Sequence, residues 1–101
     1  MPKYSVDLHP DVYPELEYSR TWYERQATNL GIKFLNEVDQ AIETVRDSPE
    51  IWPLLDKDSG IRRYIIHRFP YGLIYRVKET VIQVIAVMHL HRQPDYWRER
   101  V

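Results

Sequence analysis

Basic and imidazole side chains recur through residues 61–101, and they are the groups of this sequence best suited to chemistry on a phosphate. Arginine offers forked donors to phosphate oxygens, and histidine, with an ordinary pKa of about 6.5, can act as general base or general acid. Such a set can promote cleavage of an RNA phosphodiester by its own 2′-hydroxyl without a metal ion. The members are Arg62, Arg63, His67, Arg68, Arg76, Lys78, His89, His91 and Arg92.

Spacing decides which of these side chains can meet. Adjacent strand residues point to opposite faces, so at most one of Arg62 and Arg63 can line a given surface, and the other is expected to pair with helix carboxylates. His89 and His91 are two residues apart and share a face if the strand is still extended there. A histidine pair without an evident carboxylate partner is a weak metal signal, so neither a metal nor another cofactor is predicted.

The common catalytic motifs are absent from the sequence. It contains no Walker loop, no glycine-rich dinucleotide loop, no GxSxG and no HExxH. It also contains no Cys, which excludes disulfides, thiolate metal sites and a cysteine nucleophile. Tyr75 and Tyr96 can stack on a base or donate a proton if they face outward, but most of the eight tyrosines are expected in the core.

Composition indicates one folded domain over residues 1–101. The chain is 44% hydrophobic and 29% charged, which excludes a disordered or low-complexity protein. Its longest apolar run, residues 84–88, is far shorter than the roughly 20 residues that span a bilayer. A cytoplasmic protein without membrane contact is therefore expected.

Charge divides the chain into two halves. Residues 1–60 carry 12 acidic and 6 basic residues, whereas residues 61–101 carry 8 basic and 3 acidic residues. The basic half also holds three of the four His and can offer a local surface for an anionic ligand. The alternative is that the first half simply contains acidic, solvent-facing helices.

The first half predicts one strand followed by two helices. Residues 3–8 alternate polar and apolar, which is the pattern of a half-buried strand. A start signal at Pro10 opens an apolar helical stripe that continues to Leu30. A second stripe covers residues 34–45 and must end before Pro49, so the two helices form a hairpin.

The second half predicts a loop and then three strands. Residues 49–60 hold two prolines and no usable period, which indicates a loop with Ile51 and Trp52 filling the edge of the core. The last of the three strands is apolar on both faces and is expected to be central. The strands are predicted over residues 61–68, 71–78 and 81–90.

These elements predict an α+β fold of order β-α-α-β-β-β, with a two-helix hairpin on one face of a mostly antiparallel sheet. The opposite face of the sheet is expected to present the Arg and His side chains and therefore to hold the candidate site. A single helical turn is expected after Pro94, docked by Tyr96 or Trp97.

Several short segments of the chain, taken in order, are similar to those of a known superfamily. They are Trp22-Tyr23, Ser48-Pro49-Glu50-Ile51-Trp52-Pro53, Ile61-Arg62-Arg63, Arg68-Phe69-Pro70-Tyr71, Ile74-Tyr75-Arg76 and the ending from Ala86 to Trp97. With the order of elements, they resemble the RelE/ParE superfamily over essentially the whole chain. The resemblance implies the growth-inhibiting toxin of a type II toxin-antitoxin module, a class associated with plasmid stabilization, neutralised by a cognate antitoxin that wraps it.

The superfamily uses two mechanisms, and the resemblance implies different roles under each. RelE-like members cleave mRNA on the ribosome, whereas ParE-like members poison DNA gyrase and lack the catalytic set. Under the RelE-like mechanism the catalytic residues would be Arg63 or Arg62 for the phosphate, His89 or His91 for proton transfer, and Arg92 and Tyr96 as the C-terminal pair. Nucleic-acid or partner contacts are expected from Arg62, Arg68, Arg76 and Lys78.

Departures from the nuclease pattern favour the gyrase-directed mechanism. Lys57 is the single Lys in the loop before the second strand, Leu90 stands where a further catalytic Arg can occur, and the pI near 6.4 is acidic for a ribosome-bound nuclease. We therefore expect a ParE-like toxin. The alternatives are a RelE-like, metal-independent endoribonuclease and a degenerate module that only binds its antitoxin.

Overall fold

The computed structural model describes residues 4–101, which form a two-helix hairpin packed on a five-stranded sheet. The elements are β1 (Ser5–Leu8), α1 (Val12–Gln26), α2 (Leu30–Asp47), β2 (Leu54–Asp56), β3 (Ile61–Ile65), β4 (Tyr71–Lys78), β5 (Val81–His89) and a C-terminal 3-10 helix (Tyr96–Arg100). The predicted α+β architecture is confirmed. Lys3, which the prediction placed in the first strand, lies outside the described residues.

The strand order is β1-β5-β4-β3-β2. β1 pairs with β5 in parallel, and the other neighbouring strands are antiparallel. β5 lies between β1 and β4 and is buried over most of its length, as its unbroken apolar run predicts. β1 pairs only with the Val81–Val84 half of β5, so residues 85–89 extend beyond the end of β1.

A short edge strand, β2, lies within the segment that was predicted to be a loop. It is three residues long and its register with β3 is irregular, so no period-two pattern announces it in the sequence. Ile51 is 69% exposed, and the prediction that it fills the core edge is wrong. Trp52 does pack at that edge, with its ring centroid 4.6 Å from that of Tyr64.

The connection between α1 and α2 depends on two special backbone positions. Asn29 adopts a left-handed conformation with φ 68°, which an Asn tolerates better than most residues. Gly31 lies so close to α1 that an added Cβ would be 2.6 Å from the carbonyl oxygen of Arg20. The Glu24 carboxylate accepts hydrogen bonds from the backbone N–H groups of Asn29 and Gly31, at 2.9 and 3.0 Å, and so supports the start of α2.

The sheet is covered on both faces. The helices cover one face, where Phe34, Tyr71 and Tyr75 belong to the larger apolar cluster. The 3-10 helix covers the middle of the other face with Trp97, which is 1% exposed and packs in the second cluster with Met88. The predicted helical turn after Pro94 is therefore confirmed, and Trp97 docks it. None of the helices in residues 4–101 is long and apolar enough to cross a membrane.

Candidate functional site

A cavity of about 740 Å³ lies between α1 and the end of the sheet where β4 begins and β5 ends. Two of its aromatic side chains stand one helical turn apart on α1 and are strongly exposed, Tyr18 at 76% and Trp22 at 50%. Exposed aromatic surface beside a cavity is typical of a binding site. We call this cavity the aromatic groove, with Tyr18, Trp22, Tyr23, Tyr71, His89 and Arg92 among its lining residues.

Glu15 joins α1 to the C-terminal segment at one side of the aromatic groove. Its carboxylate accepts hydrogen bonds from the Val87 backbone N–H at 3.1 Å, from the Tyr96 hydroxyl, and from the Arg100 guanidinium at 2.9 Å. Arg100 also donates to the Ile85 carbonyl oxygen at 3.0 Å. The Val87 N–H and the Ile85 carbonyl lie beyond the part of β5 that pairs with β1. The Glu15 and Arg100 side chains therefore provide the hydrogen-bond partners that a neighbouring strand would otherwise supply.

Tyr96 is held in place by Glu15, Arg92 and Arg100. Its hydroxyl donates to the Glu15 carboxylate. The Arg92 guanidinium stacks over its ring at 3.8 Å from the centroid, and Arg100 lies 5.1 Å from the same centroid. Burial, and then the hydrogen bond to Glu15, raise the pKa of Tyr96 above its ordinary value. The phenol therefore remains protonated and engaged with Glu15 at neutral pH.

The two histidines of the predicted pair do not share a strand face. β5 ends at His89, so His91 is already in the following turn, and the condition for a shared face, an extended strand at His91, is not met. The two rings lie 5.3 Å apart, and the His91 backbone N–H donates to His89 Nδ1 at 3.0 Å. Within residues 4–101, no three His, Asp or Glu side chains form a group able to hold a metal ion.

His89 lies on the helix side of the sheet, contrary to prediction. It is paired in register with Tyr71, and the two rings meet edge to face at 5.0 Å. The reason is an extra residue, Ile85, in β5: Ile74 pairs with Ala86 whereas Tyr75 pairs with Val84. A bulge of this kind reverses which face later side chains occupy, and it turns His89 toward the helices.

Arg62 and Arg63 point to opposite faces, as predicted. Arg62 pairs with the buried Tyr75 on the helix side and donates to the Trp52 carbonyl oxygen at 2.6 Å, so the predicted partnership with a helix carboxylate is wrong. Arg63 lies on the other face, where its side chain crosses Gly72. A Cβ at Gly72 would be 3.1 Å from both Cγ and Cδ of Arg63.

The remaining predicted contact residues are spread along the sheet. Arg76 donates to the Gln83 side-chain oxygen at 2.8 Å, and Lys78 is exposed at the far end of β4. Arg68 is in the turn between β3 and β4, with Nε 3.8 Å from a Glu37 carboxylate oxygen. Tyr75 does not face outward: it is fully buried and donates to the Pro49 carbonyl oxygen at 2.6 Å.

Sequence reasoning missed the aromatic groove and the Glu15 cluster. Tyr18 and Trp22 lie off the apolar stripe of α1, and an aromatic pair at spacing four outside that stripe is the signal that was available. Glu15 is one of 12 acidic residues in the first half of the chain, and no motif singles it out. Its link to Arg100 spans 85 positions and has no local signature.

The helix hairpin, the mixed sheet and the docked C-terminal segment define the fold as that of the RelE/ParE-like toxins. Residues 6–94 match the family model described as "ParE toxin of type II toxin-antitoxin system, parDE", and the chain belongs to this family. The predicted superfamily is thereby confirmed.

The fold has a close counterpart among solved structures. A structure described as "Chromosomal ParDE TA system from P. aeruginosa" matches with a TM-score of 0.77, over 90% of this chain and 100% of that chain. The identity is 14%, so this likeness concerns the fold alone. No curated protein sequence matches the chain.

Proposed function

We propose that this ParE-family toxin acts on DNA gyrase by binding, and that a cognate antitoxin holds it inactive. The observation that carries the proposal is the separation of the groups that RNA cleavage requires. General acid-base catalysis needs its donor and acceptor within hydrogen-bond reach of one reacting centre, together with the cation that stabilises the phosphate.

The residues predicted for a nuclease are divided between the two faces of the sheet: His89, His91, Arg92 and Tyr96 lie near one another, and Arg63 lies apart from His89. Arg63 lies on the sheet face away from the helices, whereas His89 lies on the helix side. Tyr96 donates its hydroxyl to Glu15, and Arg92 covers its ring. This arrangement supports a toxin that works through contact surfaces.

The aromatic groove is the surface we propose for the antitoxin. Its exposed Tyr18 and Trp22 offer a large apolar contact, and the exposed Arg92 among its lining residues, which also include Asp11 and Glu15, favours an acidic neighbour. An amphipathic antitoxin helix with apolar anchors and acidic flanking residues fits this chemistry.

The target is tested by inducing the chain without antitoxin and following two products in one culture. We expect gyrase-linked DNA breaks to accumulate while ribosome-associated mRNA ends stay unchanged. Arg63→Gln is the informative variant, because Arg63 would be the phosphate ligand of a nuclease but has no role in the proposed contact. The Arg63→Gln toxin should remain toxic and should still cause gyrase-linked DNA breaks. If wild type instead produces new mRNA ends and Arg63→Gln abolishes them, the RelE-like mechanism is established.

A further inference from the structure

Two turns bring exposed basic side chains together at one end of the sheet. The turn between β3 and β4 carries His67 and Arg68, and the turn after β5 carries His91 and Arg92. The turns are joined by the Leu90 backbone N–H, which donates to the Pro70 carbonyl oxygen at 2.8 Å. We call the four exposed side chains His67, Arg68, His91 and Arg92 the basic end.

The two arginines of the basic end are weakly neutralised. Among the described residues, Arg20, Arg46, Arg98 and Arg100 each lie within 3.2 Å of a carboxylate oxygen, whereas Arg25, Arg62, Arg63 and Arg76 form no ion pair. Arg68 has its side chain 71% exposed and approaches Glu37 only to 3.8 Å. Arg92 forms no ion pair among residues 4–101, and its stacking on Tyr96 leaves the N–H edge of the guanidinium available.

The backbone at Arg68 gives independent support for a role of its side chain. Arg68 has φ 74°, in the left-handed region where a Gly would be free of strain. Such a conformation costs a non-Gly residue free energy, and an arginine stands here where Gly would relieve the strain; Glu79 and Asp95 share this conformation. The side chain it retains is a guanidinium directed into solvent.

We propose that the basic end binds the phosphate backbone of duplex DNA. This inference rests on the proposed function, because the DNA would be that held by gyrase, but the contact itself involves no gyrase residue. Arginine forks suit phosphate oxygens, and two arginines on adjacent turns can engage neighbouring phosphates. Most acidic residues of the chain belong to residues 1–60, which include both helices, whereas the basic end is drawn from the basic half.

The test measures the fluorescence anisotropy of a short labelled DNA duplex titrated with the purified toxin at several salt concentrations. Wild type should bind at low salt and weaken as salt rises, since phosphate contacts release counterions. The double variant Arg68→Gly with Arg92→Gln should lower the slope of log affinity against log salt by about two, one for each phosphate contact. Lys78→Gln is the matched control, because it removes a charge at the opposite end of β4, about 23 Å from Tyr71 at 3.3 Å per residue.

The variants also separate binding from folding. Arg68→Gly should keep or raise the melting temperature, because Gly relieves the positive φ, while still weakening DNA binding. Three results would overturn the proposal: no duplex binding by wild type at low salt, equal weakening by Lys78→Gln, or equally effective competition by poly-glutamate. A toxin that binds duplex through the basic end yet causes no gyrase-linked breaks would overturn the proposed function and leave this contact standing.

Discussion

Glu15 is the residue on which the C-terminal segment depends. Its side chain is 10% exposed and that of Arg100 is 11% exposed, so the pair is shielded from solvent and the carboxylate accepts three hydrogen bonds. Arg100 also lies 3.6 Å from Asp11, which is exposed and supplies a weaker second charge. Removing one partner of a shielded pair leaves the other charge uncompensated, which costs more than the intact pair contributes.

Glu15→Gln should therefore lower the free energy of unfolding by about 3 kcal/mol, in the range found for broken buried pairs. Urea denaturation followed by tryptophan fluorescence measures this loss, since Trp97 reports on the 3-10 helix. Glu17→Gln is the matched control: Glu17 pairs with Arg20 on the same helix but is 64% exposed, and no measurable change is expected. Equal unfolding midpoints for the two variants would refute the role assigned to Glu15.

At the scale of secondary structure, the aromatic groove is a property of one face of α1. Tyr13 on the same helix is also exposed, at 59%, but does not line the groove. Tyr18 and Tyr13 are therefore two exposed tyrosines of one helix, of which Tyr18 lines the proposed antitoxin site and Tyr13 lies outside it.

Tyr18→Ala should weaken binding of the cognate antitoxin by about fivefold or more, because truncation of an aromatic anchor costs more than about 1 kcal/mol. Tyr13→Ala should leave the affinity within a factor of about two, as for residues away from an anchor. Titration calorimetry with the purified antitoxin measures both. A Tyr18→Ala toxin that is still neutralised as well as wild type in cells would place the antitoxin elsewhere.

Secondary structure was predictable from sequence wherever a period extended over several residues. The two helices, the β1 position, and strands β3 to β5 follow from apolar spacing, and the fold class follows from their order. β2 was missed because three residues with an irregular register carry no period. The bulge at Ile85 could not be predicted because β5 is apolar on both faces. When the side chains after the bulge change faces, the alternation of polar and apolar residues in the sequence does not change.

The candidate site was less predictable than the fold, for a related reason. The residue types were available in the sequence, but the sheet face that each one occupies depends on the register beyond the bulge. His89 was therefore expected opposite the helices and is found beside them. The Glu15 cluster depends on where the chain end docks, which is a tertiary fact with no local cause.

The molecule as a whole should lose stability at alkaline pH. Burial is the main cause that raises the pKa of three tyrosines, Tyr23 to about 12 and Tyr75 and Tyr96 further. In the unfolded chain each tyrosine would ionise near pH 10. The folded state binds the phenolic proton more tightly than the unfolded state does, and this difference stabilises the fold while the tyrosines are protonated. This stability is complete below about pH 10 and declines as the pH rises above it.

Denaturant titrations at pH values on either side of 10 should show this decline. Tyr75→Phe should make it shallower, because Phe cannot ionise, although the loss of the bond to Pro49 should lower stability at neutral pH by about 1 kcal/mol. Tyr13→Phe changes an exposed tyrosine and should leave the pH dependence unaltered. A flat stability profile across pH 10 in wild type would contradict the expectation.

The part of β5 that extends beyond β1 affects whether the toxin can self-associate when no partner is bound. An open strand edge is a template on which a second chain can add and aggregation can start. Here Glu15 and Arg100 occupy the Val87 and Ile85 groups, and Arg46 donates to the Tyr4 carbonyl oxygen beside β1. The docked C-terminal segment should therefore hinder addition of a second chain at this edge, and a chain that ended before Tyr96 should expose the edge and self-associate.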